Sequence, residues 1–268
     1  MPHGESWFSL LFRGTSLWEI VANVVASLNT MLWGRPDSLL AHEQGFVAHV
    51  FGALFVLAVI ASAAVVTFEG IRHTEAAVIP EDKLTIRTFF EIFVGTCLSM
   101  MTDIMGAKAA RSFLPLIGTC AVFILVSNVL GLVPGFAPPT DNLNTTFAMA
   151  LVIFLATHIY GMRENGFNHV KHLFGPIIAW YALPLMLLMF VIEVISHLAR
   201  PLSLAIRLMA NMVADHLVVG AFLSIIPFLL PVPVMVLGSL VVVVQTLVFC
   251  VLSTVYIGLA IQHDEHGH

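Results

Sequence analysis

Long apolar runs separated by short polar segments dominate the chain. The first clear run extends from about Phe46 to Phe68, and two more cover about 113–133 and 146–162. At about 1.5 Å per residue, a helix of this length crosses most of a hydrocarbon core that is about 30 Å thick. Because the runs are continuous and do not alternate with polar residues, they predict membrane-spanning helices and exclude an outer-membrane barrel.

The last third of the chain is one extended apolar region, about 177–262, and it has no acidic or basic residue between Leu217 and Gln262. Prolines divide it, and they predict helix breaks at Pro184 and Pro201 and a hairpin turn at Pro227, Pro231 and Pro233. A helix over about 232–262 would be roughly 46 Å long at about 1.5 Å per residue. We therefore expect it to tilt strongly or to project beyond the membrane.

The apolar segment 88–106 differs from these spans because Glu91 and Asp103 interrupt it, which predicts an amphipathic helix that lies on the membrane surface or is half inserted. The predicted fold class is an all-α polytopic membrane protein with about five membrane helices plus this amphipathic helix. Residues 1–45 predict an interfacial segment, since Trp7, Phe8, Trp18 and Trp33 lie there among charged residues. Residues 46–268 predict a single transmembrane domain.

Composition supports this class. Hydrophobic residues make up 59% of the 268 residues and charged residues only 10%, and the mean hydropathy is +0.98. Because soluble domains carry about 25% charged residues, a DNA-binding domain, a secreted disulfide scaffold and a disordered hub are excluded. Cys97, Cys120 and Cys250 lie far apart in apolar sequence, which predicts core residues and no metal site.

The basic residues predict an orientation. Seven of the eleven lie in two polar connections, whereas the loop 134–145 has none. The positive-inside rule therefore predicts that the two connections are cytoplasmic and that the N-terminus is outside. These seven residues are Arg72, Lys83, Arg87, Lys108, Arg111, Arg163 and Lys171.

Arg207 is the main candidate for function because it lies in the middle of an apolar helical segment. A charged Arg there costs about 2.5–3.5 kcal/mol on insertion scales, and the guanidinium cannot lose its proton. Such a residue needs a partner or a water-filled path. Snorkelling, or a buried salt bridge with Glu193, is the simpler alternative.

Helical spacing puts further polar residues on the same face. Glu193, Arg200 and Arg207 are seven residues apart, while Ser203 lies four before Arg207 and Asn211 four after it. A polar stripe on an apolar helix indicates a hydrated seam. Glu193 and His197 form a local ion pair or line a channel wall, and His158 is expected to be structural or interfacial.

Titratable residues follow one turn later. Asp215 and His216 can carry a proton at accessible pH if their pKa values are modestly shifted. Counting back from the proline turn predicts that Gln245 lies level with them. Arg207 would then lie roughly 10 Å deeper at about 1.5 Å per residue. This arrangement would suit a proton path with an electrostatic barrier. The structural alternatives are a helix-end pair for Asp215 and His216 and an interhelical hydrogen bond for Gln245.

Three segments together resemble subunit a of the F-type ATP synthase membrane sector: ARPLSLAIRLMANMVADH, the helix that carries Gln245, and PTDNLNTTFAMAL after LGLVPG. The resemblance covers most of the chain after about Gly45. It implies two long tilted helices beside a ring of small c-type hairpin subunits. It also implies b-type peripheral stalk subunits and membrane lipid as partners, a cytoplasmic C-terminus, and a hetero-oligomer in a bacterial inner membrane, with no nucleic acid.

The resemblance also implies roles for individual residues. Arg207 matches the essential stator arginine, which couples proton flow through two offset half-channels to ring rotation and ATP synthesis. The other matched positions are polar residues of the path: Glu193, Asn211, His216 and Gln245, with Asn128 in the second span. No cofactor or metal is implied, and no Gly-rich phosphate loop indicates nucleotide chemistry in this subunit.

Two positions depart from the family pattern. Many members have Gly at the position of Asp215, and many have His or Glu at the position of Gly238, seven residues before Gln245. We therefore predict that Asp215 takes over the inlet role of the missing group and reaches into the space beside Gly238.

Two other functions fit the residues alone. A stand-alone transporter or channel with Arg207 as its substrate site would transport as an isolated protein. A membrane anchor that transports nothing would tolerate the loss of Arg207.

Overall fold

The structure is a computed structural model that describes residues 15–33, 45–72, 85–133, 136–165, 183–225 and 231–261. These ranges are helical apart from short turns and a 3-10 helix at Pro139–Asp141. The helices are α1 (Ser16–Trp33), α2 (Gly45–Arg72), α3 (Ile86–Met105), α4 (Ala107–Gly131), α5 (Leu143–Asn165), α6 (Leu183–Ile225) and α7 (Pro231–Ile261). Among the described residues, the six helices α2 to α7 are long and apolar enough to cross a membrane.

The apolar runs correspond closely to helices. The runs 46–68, 113–133, 146–162 and 232–262 lie in α2, α4, α5 and α7 respectively. The segment 88–106 forms α3, which is also long and apolar enough to span, so its location at the membrane surface stays a prediction. Only Gly106 separates α3 from α4, and its φ of 81° is a left-handed conformation that glycine adopts without steric cost.

The predicted break at Pro201 is wrong, because α6 continues through it from Leu183 to Ile225. Pro201 has no N–H to donate to the carbonyl of His197, yet membrane helices tolerate such a gap where neighbouring groups satisfy the carbonyl. The other predicted break, at Pro184, lies in the first turn of α6, where proline costs little. The polar stripe around Arg207 therefore lies on one uninterrupted helix.

The chain divides into two compact units. The first comprises 1–90, 122–145 and 208–246. In this unit α1 contacts α2, since the Trp18 and Phe51 rings stack with centroids 5.8 Å apart. The 136–142 segment also lies against α2, where Phe55 stacks on Phe136.

The second unit comprises 91–121, 146–207 and 247–268. In this unit Phe113 of α4 meets Tyr160 of α5 edge to face, with ring centroids 4.7 Å apart. The buried Cys97 of α3 and Cys250 of α7 bring their sulfurs within 4.0 Å. All three cysteines are free, and Cys97 and Cys250 are buried, as predicted for core residues.

Several predicted features lie outside the described residues. They are the interfacial aromatics Trp7 and Phe8, the basic residues Lys83 and Lys171, the turn residue Pro227 and the tail after Ile261.

Candidate functional site

Arg207 is exposed on α6, while its neighbours Leu204 and Leu208 are buried at 3% and 0% exposure. Its side chain therefore points away from the interior of the chain. Within the described part of the chain, Glu193 pairs with His197 at 3.3 Å, and no carboxylate lies within ion-pair distance of Arg207. Among these residues the salt-bridge alternative for Arg207 does not hold.

The face of α6 around Arg207 is formed by small residues. Ser203, Ala210 and Ala214 follow the spacing of three or four residues that aligns side chains along one helix face, and all three are exposed. Small side chains allow a second helix backbone to approach closely in a membrane. The charge is thus presented on a surface that is suited to another helix.

Asn211 of α6 and Gln245 of α7 form a direct hydrogen bond, in which Asn211 Nδ2 donates to Gln245 Oε1 at 2.6 Å. Gln245 is only 5% exposed, so its amide depends on this partner. The prediction that Gln245 lies level with Asp215 and His216 is wrong. The prediction counted residues back from a turn centred on the proline cluster. Because α6 already ends at Ile225, the residues of α6 and α7 that face each other are shifted from those predicted.

Asp215 instead faces Gly238 of α7. A β-carbon built on Gly238 would lie 2.9 and 3.0 Å from the two carboxylate oxygens of Asp215, which is closer than such atoms normally approach. The carboxylate therefore occupies the space that a side chain at position 238 would need. This juxtaposition agrees with the predicted pairing of an extra carboxylate with a missing side chain.

His216 lies against the end of α4. Its Nε2 is 3.2 Å from the carbonyl oxygen of Gly131, so the protonated nitrogen can donate a hydrogen bond there. A β-carbon on Gly131 would lie 3.1 Å from that nitrogen and 3.0 Å from Pro138 Cγ. Glycine at 131 thus allows the imidazole and the 136–142 segment to meet.

The 136–142 segment carries polar groups that the sequence analysis did not assign to the site. Thr140 donates a 2.7 Å hydrogen bond to Asn128 Oδ1, and Asn142 lies 3.3 Å from His49 Nδ1. Asp141 ends the 3-10 turn, where burial raises the pKa of its carboxyl to about 6 and the nearby His216 opposes that rise. The motif PTDNLNTTFAMAL, which resembles the family, is the sequence signal that could have pointed to these residues.

The second unit contains a small, partly open cleft lined in part by His158, His197, Arg200 and Tyr256. The two imidazoles meet edge to face at 72° with centroids 5.4 Å apart, and Arg200 lies 5.8 Å from the centre of the Tyr256 ring. Glu193 reaches this group through its ion pair with His197. His197 therefore connects Glu193 to His158, which we expected to be structural or interfacial. No group of three potential metal ligands occurs within the described ranges.

The hydrogen bond between Asn211 and Gln245 leads to a first prediction. We expect Asn211→Ala to lower the free energy of unfolding by about 1–2 kcal/mol, because a buried amide is left without its partner. Thermal unfolding in detergent measures the loss, with the exposed Asn144→Ala as a control. An equal effect of both substitutions would contradict a specific role for the bond.

The fold and these side chains define a class: a multi-pass helical membrane protein that combines a fixed positive charge with acidic and imidazole groups on the long helix α6. The family model described as ATP synthase A chain matches residues 50–258. The chain is 51% identical to an ATP synthase subunit a of Sorangium cellulosum, over 73% of this chain and 74% of the relative. It is 49% identical to one of Trichlorobacter lovleyi, over 64% and 72%.

An ATP synthase subunit a of Syntrophotalea carbinolica is aligned over more of the chain. It is 42% identical over 82% of this chain and 88% of its own length. The chain belongs to the ATP synthase subunit a family, which functions in ATP synthesis and proton transport. Its place in the membrane sector of that machine agrees with the six long apolar helices found in the described part of the chain.

Proposed function

We propose that this chain is the proton-conducting stator subunit, which couples proton flow through two offset half-channels to rotation of a ring of c-type subunits. The observation that carries the proposal is the exposed Arg207 in the middle of an apolar membrane helix. A charged side chain is costly to place inside a membrane, so its presence there indicates that it acts on a partner. The partner it suits best is a carboxylate on a neighbouring helix.

The small residues around Arg207 support a ring as that partner. Ser203, Ala210 and Ala214 would allow a ring helix to pass close to α6. The guanidinium would then attract a ring carboxylate and favour release of its proton. Because Arg207 stays charged, it also blocks direct passage of protons between the half-channels.

The inlet half of the path would use Asp215 and His216, with Asn211 and Gln245 holding α6 and α7 together beside it. The absence of basic residues from the loop 134–145 supports an outer location for this end. A proton taken up here would neutralise a ring carboxylate, and only the neutral site can rotate into lipid at low cost.

The outlet half would use the cleft around His197. Glu193, His197 and His158 supply groups that bind protons, and Arg163 and the basic loops near the end of α5 support a cytoplasmic location. Each proton that crosses would gain about 2.3 kcal/mol per 100 mV. Rotation would transmit this free energy to the soluble head that makes ATP. We take the N-terminal segment 1–45 to be interfacial and the C-terminus to be cytoplasmic. The b-type stalk subunits would hold this chain fixed as the stator.

Crosslinking tests the proposed ring contact. After replacement of the three native cysteines, we expect Ile206→Cys to form disulfides with single-cysteine ring subunits in native membranes. Ile206 is 43% exposed and precedes Arg207. Leu208→Cys is the matched control, since Leu208 is fully buried and faces the interior of the chain. Mass spectrometry of the crosslinked bands identifies the partner.

Two outcomes would contradict the proposal. One is that a cysteine at Ile206 forms no crosslink with ring subunits, while cysteines at other exposed positions of α6 do. The other is proton transport by the purified chain without ring subunits, which would support a stand-alone transporter. Crosslinks confined to Ile206 would support the stator.

A further inference from the structure

The 136–142 segment and His216 form a polar cluster, and of its members the mechanism above uses only His216. Pro138, Pro139 and Thr140 are buried, and Thr140 is tied to Asn128 of α4 by a 2.7 Å hydrogen bond. The segment is therefore part of the interior of its unit, although it lies between two spanning helices.

His216 connects this segment to the inlet. Its Nε2 lies 3.2 Å from the carbonyl oxygen of Gly131, and the missing side chain of Gly131 leaves room for both the imidazole and Pro138. Asp141 is three residues beyond Pro138, in the 3-10 turn, and interacts electrostatically with His216. Asp215, which directly precedes His216 in α6, faces Gly238.

Asp141 is a suitable group for exchanging protons with the outer solution. It lies outside the spanning helices, and burial raises the pKa of its carboxyl to about 6. A carboxyl with this pKa is present in both protonation states near neutral pH. The titratable groups around it are His216 from α6 and, beyond Asn142, His49 from α2.

A buried polar group lies beside the cluster. Asn128 accepts the hydrogen bond of Thr140 through Oδ1, while its Nδ2 is buried and makes no hydrogen bond within the described residues. Buried polar groups of this kind favour small polar ligands such as water. The neighbourhood of Thr140 and Asp141 is therefore suited to carry a hydrated connection.

We propose that Asp141 is the outer proton-collecting residue of the inlet, which binds a proton from the external solution and delivers it through His216 to Asp215. In each transfer one proton leaves the carboxyl of Asp141 and converts the imidazole to imidazolium. The imidazolium then passes a proton to the carboxylate of Asp215 and returns to its neutral form. This inference rests on the proposed function, since it assumes that the inlet opens on this side.

The test uses the complete ATP synthase in liposomes with the soluble head outside, so that the outer face of this chain meets the lumen. ATP synthesis is measured at lumenal values from about pH 5 to about pH 8, on either side of the pKa of about 6 of the Asp141 carboxyl, with the total driving force held constant. We expect Asp141→Asn to match the parent enzyme at the acidic end, where protons reach His216 unaided. At the alkaline end the rate should fall on the order of tenfold, below the 10²–10⁴ of an essential proton-transfer group.

Two controls separate proton collection from loop structure. Asp141→Glu should keep the parent pH profile, because it keeps the carboxyl. Asn142→Ala removes the contact with His49 and should not change the shape of the profile. Equal losses at every pH in Asp141→Asn, or a profile like that of the parent, would overturn the inference. The proposed function would survive either result as long as Arg207→Ala still abolishes synthesis, and it would fail if Arg207→Ala did not.

Discussion

Replacing Arg207 by Ala is expected to abolish both proton-driven ATP synthesis and ATP-driven proton pumping. The substitution removes a fixed charge that no described residue neutralises within the chain. Loss of one preorganised electrostatic group costs about 10²–10³ in rate in other proton-transfer and acyl-transfer sites. Because the same charge separates the half-channels, we also expect passive proton leakage through the membrane sector. Synthesis, pumping and leakage are measured on one vesicle preparation.

Two variants make the Arg207 result interpretable. Arg207→Lys keeps a positive charge but lacks the planar fork and can lose its proton, so partial pumping with increased leakage is expected. Arg163→Ala removes an exposed charge at the end of α5 and should stay close to the parent enzyme. Normal coupling in Arg207→Ala, with the complex intact, would favour the membrane-anchor alternative.

The membrane helices could be predicted from the sequence because their signal is local. Continuous apolar runs require helices in lipid, and the four clear runs lie within α2, α4, α5 and α7. Arg207 could also be singled out locally, since a charge in such a run is rare and costly. The comparisons then confirm the family that its surrounding motif resembles.

The facing positions of α6 and α7 could not be predicted, because they depend on where the chain reverses. The proline pattern favoured a turn at the cluster Pro227, Pro231 and Pro233, but α6 ends at Ile225 and α7 already begins at Pro231. A shift of a few residues exchanges one set of partners for another. Gln245 therefore meets Asn211, and Asp215 meets Gly238.

Long-range contacts explain the other differences. Pro201 has a strong local tendency to break a helix, yet membrane helices accommodate proline within a packed structure. Asp141 looked like an ordinary loop residue, because nothing near it in sequence shows that His216, 75 positions later, lies close enough to interact. Sequence spacing can order residues along one helix, but it does not bring a loop to a helix face.

The contact between Asp215 and Gly238 gives the second large prediction. We expect Asp215→Gly to lower proton-driven ATP synthesis by about 100-fold, the lower end of the range for a positioned proton-transfer group. Gly238→Glu alone should also be impaired, because its side chain would meet the Asp215 carboxylate. In the double variant the new carboxyl enters the space that Asp215 leaves, so synthesis should recover to within a few-fold of the parent.

The double variant is the decisive measurement because each single change is harmful for a different reason. A purely structural role for Asp215 predicts that the two losses add, whereas a shared protonation site predicts that they compensate. Gly238→Gln in the Asp215→Gly background is the matched control, since it fills the same space without a titratable group. Recovery with Glu and not with Gln would show that one carboxyl at this point of α6 and α7 is required, whichever helix carries it. Equal recovery with both would mean that the position needs only volume.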